Sequence, residues 1–468
     1  MVISRIADGV LRGVETVGGT LVGGFSEPTL RIGVTGLARA GKTVFITSLV
    51  ANLLDRGRMP GLIAAKDGRI ETAFLQPQPD DTVPRFEYES HIGDLTGATP
   101  SWPDSTRTIS ELRLSLRVRP SGLLAGLQSP RVIHLDIVDY PGEWLLDLGL
   151  LDQDYASWSQ DVLDRIKDRT EATGFRDTLA GIDPAAPLDE PKAIALAEAF
   201  TAYLTAARAA GFFDVTPGRF LLPGDLAGSP VLTFAPMPRP TDVPRRALWQ
   251  EMERRFEAYK RQVVKPFFRD HFAKIDRQIV LVDALGAIHA GPRAVDDLRQ
   301  ALEAILSAFR PGTNSFLSRI FGVRRVEKVL FAATKADHLH HSEHAKLTAI
   351  MQALTRGAVD RIRFSGAETS ALSLAALRAT TEEMRPHNGT DLPCIRGQLL
   401  ETGKEAAFYP GRLPETPDVL LSQTGESWLD DDFRTMRFAP APLTLRPGDG
   451  PPHIRLDRAA QFLFGDRL

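Results

Sequence analysis

The chain has 468 residues, with 56 Lys and Arg against 59 Asp and Glu, a formal net charge of −3, and 43% apolar residues. That balance excludes a disordered or collagen-like chain and argues against a wholesale nucleic-acid binder. The length suits about three domains, or one domain with large insertions.

Residues 2–17 place Ile3, Ile6, Val10, Val14 and Val17 at helical spacing, with Arg5, Asp8, Arg12 and Glu15 between them. This predicts a short amphipathic helix packed on the domain, a membrane-surface or partner helix being the alternative. Gly18, Gly19, Gly23 and Gly24 then break the chain. Six strand-like runs follow: Leu30–Thr35, Ile109–Val118, Val132–Asp139, Gln278–Asp283, Val329–Ala333 and Arg361–Phe364. Most are continuous apolar runs, as in strands covered on both faces. Helical patterns at Lys42–Leu54, Ala294–Phe309 and Ala345–Thr355 alternate with them, which predicts an α/β fold with a largely parallel sheet. In Ile109–Val118 apolar and polar residues alternate, and a short loop leads to the next strand. It is expected to be an antiparallel edge strand.

Between the third and fourth strands, Trp144–Asp168, Pro191–Ala210 and Arg246–Ile275 read as helices, so this stretch is expected to be a helical insertion. After about residue 380 the chain turns loop-rich and Pro-rich, closing with a short helix, Leu456–Phe464. The predicted organisation is an N-terminal helix and linker (1–29), a core (30–145 plus 276–380), a helical insertion (146–275) and a C-terminal extension (381–468). The single cysteine, Cys394, allows no internal disulfide and fits a reducing compartment. No run approaches about 18 apolar residues, and no signal-peptide core opens the chain. A soluble cytoplasmic protein is expected.

The strongest chemical signal is Gly36-Leu-Ala-Arg-Ala-Gly41-Lys42-Thr43, a full match to G-x-x-x-x-G-K-[ST] between a strand and a helix. Glycines let the backbone N–H groups turn inward around phosphate, and the helix N-terminus attracts the anion. Gly36, Ala38, Arg39, Ala40, Gly41, Lys42, Thr43 and Val44 are the expected cradle. Lys42 would reach the β- and γ-phosphates, and Thr43 would ligate Mg²⁺.

Thr334-Lys335-Ala336-Asp337 follows the strand Val329–Ala333 and resembles the [NT]-K-x-D motif of GTPases. The Asp337 carboxylate would accept from the N1–H and exocyclic amine of guanine, donors that adenine lacks on that edge. The Lys335 stem would lie over the base. Two segments compete for the D-x-x-G role: Asp139-Tyr-Pro-Gly142 and Asp283-Ala-Leu-Gly286. Strand order favours the first, with Asp139 holding Mg²⁺ through water and the Gly142 N–H at the γ-phosphate. Thr106 is the candidate switch threonine for metal and catalysis, with Thr108 as its neighbour. Ser370-Ala371, read as following the last strand, resembles a guanine-side S-A-K motif with Leu372 in place of lysine. Glu143 stands where small GTPases often carry Gln. Its charge would repel the γ-phosphate, so slow turnover is expected. Arg39 within the loop, where some cation-dependent GTPases carry Asn, points to solvent, replaces that cation or serves as a finger in cis. His338, His340, His341 and His344 read as a solvated face, with a His340–His344 metal pair as the alternative.

With these motifs, Ser101-Trp-Pro103 and Ile454-Arg-Leu-Asp-Arg458, the chain resembles the YcjX-like family of bacterial P-loop proteins over nearly its whole length. The resemblance implies a Ras-like GTPase core with a helical insertion and GTP or GDP as ligand. It also implies a link to bacterial envelope stress and an inner-membrane protein partner. A Mg²⁺-dependent GTPase switch is the first functional expectation. An ATPase of the same fold and a nucleotide-stabilised, non-hydrolysing interaction module are the alternatives.

Overall fold

The computed structural model describes residues 27–37, 39–104, 108–122, 129–307, 326–363, 367–421 and 433–468. The N-terminal helix expected at 2–17 lies outside them. Seven strands form the main sheet: β1 (Thr29–Gly36), β2 (Ile70–Gln76), β3 (Ser110–Val118), β4 (Arg131–Asp139), β5 (Arg277–Val282), β6 (Lys328–Ala333) and β7 (Glu368–Ser373). Their order is β2-β3-β4-β1-β5-β6-β7. Strand β3 runs antiparallel to both neighbours, and the pairs from β4 to β7 are parallel. The result is an α/β fold with a mostly parallel sheet.

Two strand expectations need correction. The predicted edge strand β3 is interior, because β2 pairs along its outer side. Most of β2 is exposed or half-buried, so it carries no continuous apolar run. The run at 361–364 is not the last strand: Arg361–Arg363 close a long helix, and β7 begins at Glu368.

The apolar runs of the central strands are explained by burial on both faces. In β5, Ile279 and Leu281 join one core cluster, and Val280 and Val282 join the other. Helix α1 (Lys42–Leu54) and the terminal α8 (Leu456–Phe464) cover the first face, through Phe45, Leu49, Leu463 and Phe464. Helices α6 (Pro292–Ser307) and α7 (His344–Arg363) cover the second, through Leu298, Leu302, Leu347 and Met351.

That second core continues without a break into the helical region between β4 and β5. Its helices include α2 (Gly142–Leu146), α3 (Tyr155–Ile166), α4 (Glu190–Ala210) and α5 (Leu248–Tyr259). An aromatic knot ties them together, with Trp158 stacked on Phe256 at 4.9 Å and edge-on to Phe234 at 5.6 Å. The stretch read as loop-rich after residue 380 holds a second, antiparallel sheet: β8 (Thr381–His387), β9 (Thr390–Gln398) and β10 (Glu405–Phe408), in the order β10-β9-β8. Among the described residues no helix is long and apolar enough to cross a membrane.

The terminal helix is thus part of the sheet's core. Phe464 is fully buried, so Phe464→Ala is expected to lower stability in urea denaturation by about 3–5 kcal/mol.

Candidate functional site

The parallel pairing of β1 with β4 sets Val34 opposite Asp139, so both strands end at the same level. The phosphate-loop sequence follows β1 there. Gly41 adopts φ 77° and caps α1, and it has no side chain to occupy the first-turn N–H groups. Arg39 also has positive φ (63°) and stands exposed at the rim of the cleft. Ala38 lies outside the described residues.

Lys42 Nζ is 2.7 Å from Asp139 Oδ1. Neither the ammonium nor either carboxylate oxygen completes a hydrogen bond of acceptable geometry, although all three atoms are buried. Buried polar groups in this state are costly unless something else engages them. A phosphate for Lys42 and a hydrated divalent cation for Asp139 would do so. Thr43, also buried, adds a hydroxyl at the start of α1. An alcohol and a carboxylate are hard oxygen donors of the kind Mg²⁺ takes. Gly142 packs so tightly on the backbone of Gly36 and Leu37 that a Cβ would strike the Gly36 carbonyl. Glycine at that position is therefore a requirement of close approach.

The same cleft, of about 330 Å³, runs from Gly41 and Lys42 to Lys335, Asp337 and Ala375. The tip of β6 is held to its neighbours: Thr334 N–H donates to Val282 O at 2.9 Å, and Ala336 N–H to Leu374 O at 3.0 Å. Lys335 takes φ 60° and its ammonium pairs with Asp283. Asp283, the rival D-x-x-G aspartate, also caps the following helix through Gly286 N–H. Asp337 is buried, and its Oδ2 accepts from Ala379 N–H at 2.9 Å. His344 Nε2 bridges the Ala336 and Leu339 carbonyls at 2.8 and 3.3 Å, framing Asp337.

Two expectations change here. Ser370 and Ala371 lie in mid-strand, paired with Leu330 and Phe331, instead of following β7. The residues beside Asp337 at the strand end are Ala375, Ala376 and Leu377. The polar sequence of β7, Glu-Thr-Ser-Ala-Leu-Ser, hid its position. His344 is buried and used within the fold, so it belongs neither to a solvated face nor to a His340 pair. His340 and His341 instead face Glu382 of β8. Thr106 lies outside the described residues, and Thr108 is exposed.

The chain that carries the phosphate loop, Asp139-Tyr-Pro-Gly142 and Thr334–Asp337 is matched over residues 30–468 by the profile of the YcjX-like family, DUF463. The chain belongs to that family. It is 40% identical over 454 residues to the Ras-like GTPase YcjX of Escherichia coli (strain K12), covering 94% of this chain and 96% of that protein. It is 36% identical over 469 residues to the Ras-like GTPase YcjX of Shewanella oneidensis (strain MR-1), covering 94% of each.

In this YcjX-like chain the residues after Gly142 are gripped by the helical region. Glu143 is buried and meets Arg208 of α4 at 2.7 Å. The Arg219 guanidinium lies over the Trp144 ring, 3.2 Å from its centroid, and Trp144 Nε1 donates to Leu222 O at 3.2 Å. Asp147 accepts from Gly218 N–H at 2.7 Å and from the Tyr259 hydroxyl at 2.5 Å. Gly218 must be glycine, because a Cβ would strike the Glu143 backbone. Sequence reading missed Arg208 and Arg219, which lie outside any motif, and named Asp283 only as the rival D-x-x-G aspartate, not as the partner of Lys335.

Burial pushes the Asp147 carboxyl up to about 6, against the opposing pull of the Tyr259 hydrogen bond. The unfolded carboxyl titrates near 4, so between about pH 4 and 6 the native state holds a proton that the unfolded chain has released. Stability therefore falls as pH rises through that window and levels off above it. The expected outcome is that Asp147→Asn removes this fall, so that the Tm difference between wild type and variant changes between pH 4 and 6 and is flat above 7.

Proposed function

We propose that the chain is a Mg²⁺-dependent guanine-nucleotide-binding GTPase of slow intrinsic turnover, used as a switch whose state is read by the helical insertion. The observation that carries this reading is the single cleft joining the start of α1 and Lys42, itself paired with Asp139, to Lys335 and Asp337. The two relatives named Ras-like GTPases support it.

In this reading the loop and α1 N–H groups bind the phosphates, Lys42 neutralises them, and Asp337 selects the base edge. Thr43 and Asp139 would hold Mg²⁺, directly and through water, and the bound ion would offset charge on the β- and γ-phosphates. Glu143, already engaged by Arg208, is poorly placed to orient water, which accounts for slow turnover. Gly142 borders the γ-phosphate position, and Glu143, Trp144 and Asp147 hand any shift there to Arg208, Arg219, Gly218 and Tyr259. The insertion is then the surface a protein partner would read, and the inner-membrane partner implied by the family resemblance would act there.

The test is competition of GDP, GTP and ATP against labelled GDP. Wild type is expected to prefer guanine nucleotides, and Asp337→Asn to lose at least about 100-fold of that preference, because a group built to accept the guanine donors is gone. Lys42→Ala should abolish hydrolysis. ATP competing as well as GTP, unchanged in Asp337→Asn, would overturn the guanine assignment. Arg208→Ala leaves the Glu143 anion unpaired beside the γ-phosphate position. It should weaken GTP relative to GDP by roughly tenfold or more, in line with the cost of an unpaired buried charge.

A further inference from the structure

The end of the cleft beyond Asp337 is not closed by the core alone. Its lining there is Trp102, His338, Leu400, Arg437 and Phe438. Leu400, Arg437 and Phe438 belong to the C-terminal extension, and Trp102 to the segment leading into β3. Phe438 is 2% exposed, its ring seated on Gly397 of β9, where an added Cβ would come within 2.7 Å of it. It also meets the His338 ring edge-on at 5.3 Å. Its backbone continues the second sheet: Leu400 N–H donates to Arg437 O and Ala439 N–H to Gln398 O, both at 2.8 Å. The same backbone accepts the Trp102 indole N–H, Nε1 to Phe438 O, at 2.7 Å. Ala379, whose N–H holds Asp337, packs in the same small apolar cluster as Phe438 and Ile395, with Trp102 against it.

From this arrangement we infer that the C-terminal extension is an integral part of the nucleotide site. Phe438 and Trp102 form the apolar wall for the purine ring, and the Trp102–Phe438 hydrogen bond clasps the segment before β3 to the base end. The inference rests on the nucleotide-binding reading above and adds its base-side residues. The physical case is complementarity. A purine has polar edges and apolar faces. Asp337 and Lys335 supply one edge contact and one aliphatic cover, and the fold places two aromatic rings and Leu400 at the same end. A ring buried among Ala379, Ile395 and Gly397 is pre-set, so little side-chain freedom is lost when a base arrives. Removal of the clasp acts on the base and leaves the phosphate end, 36–44, untouched.

The experiment uses the full chain and two ligands, GDP and inorganic tripolyphosphate, the second having phosphates but no base. Trp102→Ala changes a half-exposed side chain, and Phe438→Leu keeps apolar volume while removing the ring. Circular dichroism and Tm confirm that both fold. Trp102→Ala is expected to weaken GDP roughly 10- to 100-fold and Phe438→Leu several-fold, the range of base–aromatic stacking, with tripolyphosphate binding unchanged in both. Intrinsic fluorescence should change on GDP addition in wild type, with that change absent or much reduced in Trp102→Ala. Unchanged GDP affinity in both variants would overturn the inference. So would an equal loss of GDP and tripolyphosphate, which marks a structural support and not a base wall. Wild type that binds tripolyphosphate but not GDP would instead sink the guanine reading on which the inference stands.

Discussion

The site depends first on one register. Strand β1 lies between β4 and β5, and Val34 pairs with Asp139 while Val34 also pairs with Ile279. Parallel strands that start on one side of the sheet end on the other, so their C-terminal ends form a common edge. The phosphate loop, the Asp139 segment and the Thr334–Asp337 loop all emerge from that edge. Lys42 and Asp139 come within 2.7 Å only because those two strands are in this register. A slip of one residue would turn Asp139 to the other face and dismantle the constellation.

Around this edge, segments from outside the core carry the finer positioning. The helical region between β4 and β5 holds the residues after Gly142 through a charge pair, a cation–π contact and a buried carboxylate. Ala379, just before the C-terminal extension, holds Asp337, and the extension itself lines the cleft nearby through Phe438. Both do so with groups that are buried, where charge contacts and hydrogen bonds are less screened by water. The core therefore sets where the motifs sit, and the additions pack against the segments that follow them.

Much of this was legible in the chain itself, and the failures have physical causes. The phosphate loop was readable because its chemistry demands particular residue types at fixed spacing, and α1 matches its predicted bounds of Lys42–Leu54. Strands β1, β4, β5 and β6 announced themselves because both of their faces are buried. Strands β2 and β7 did not, because they flank the sheet and carry polar residues on faces open to water. The small sheet β8-β9-β10 was hidden for a similar reason. It includes Pro386 and Pro393 within strands and few apolar residues, and its cohesion comes from pairing with its own neighbours. The histidine run looked solvated because a helical face shows nothing of what packs on it. His344 is buried only because the helix beginning there returns under the Ala336 and Leu339 carbonyls.

By itself, the sequence determined the α/β class, and it carried the phosphate-loop motif, the Thr334–Asp337 motif and the preference for Asp139 over Asp283 as readings, since each rests on local spacing and on the order of elements along the chain. The tertiary structure alone decided which distant residues pack beside them. Arg208 lies 65 positions beyond Glu143, and Phe438 is 101 beyond Asp337. No local pattern marks such residues, because their roles come from packing, which brings together side chains that the chain's own order keeps apart.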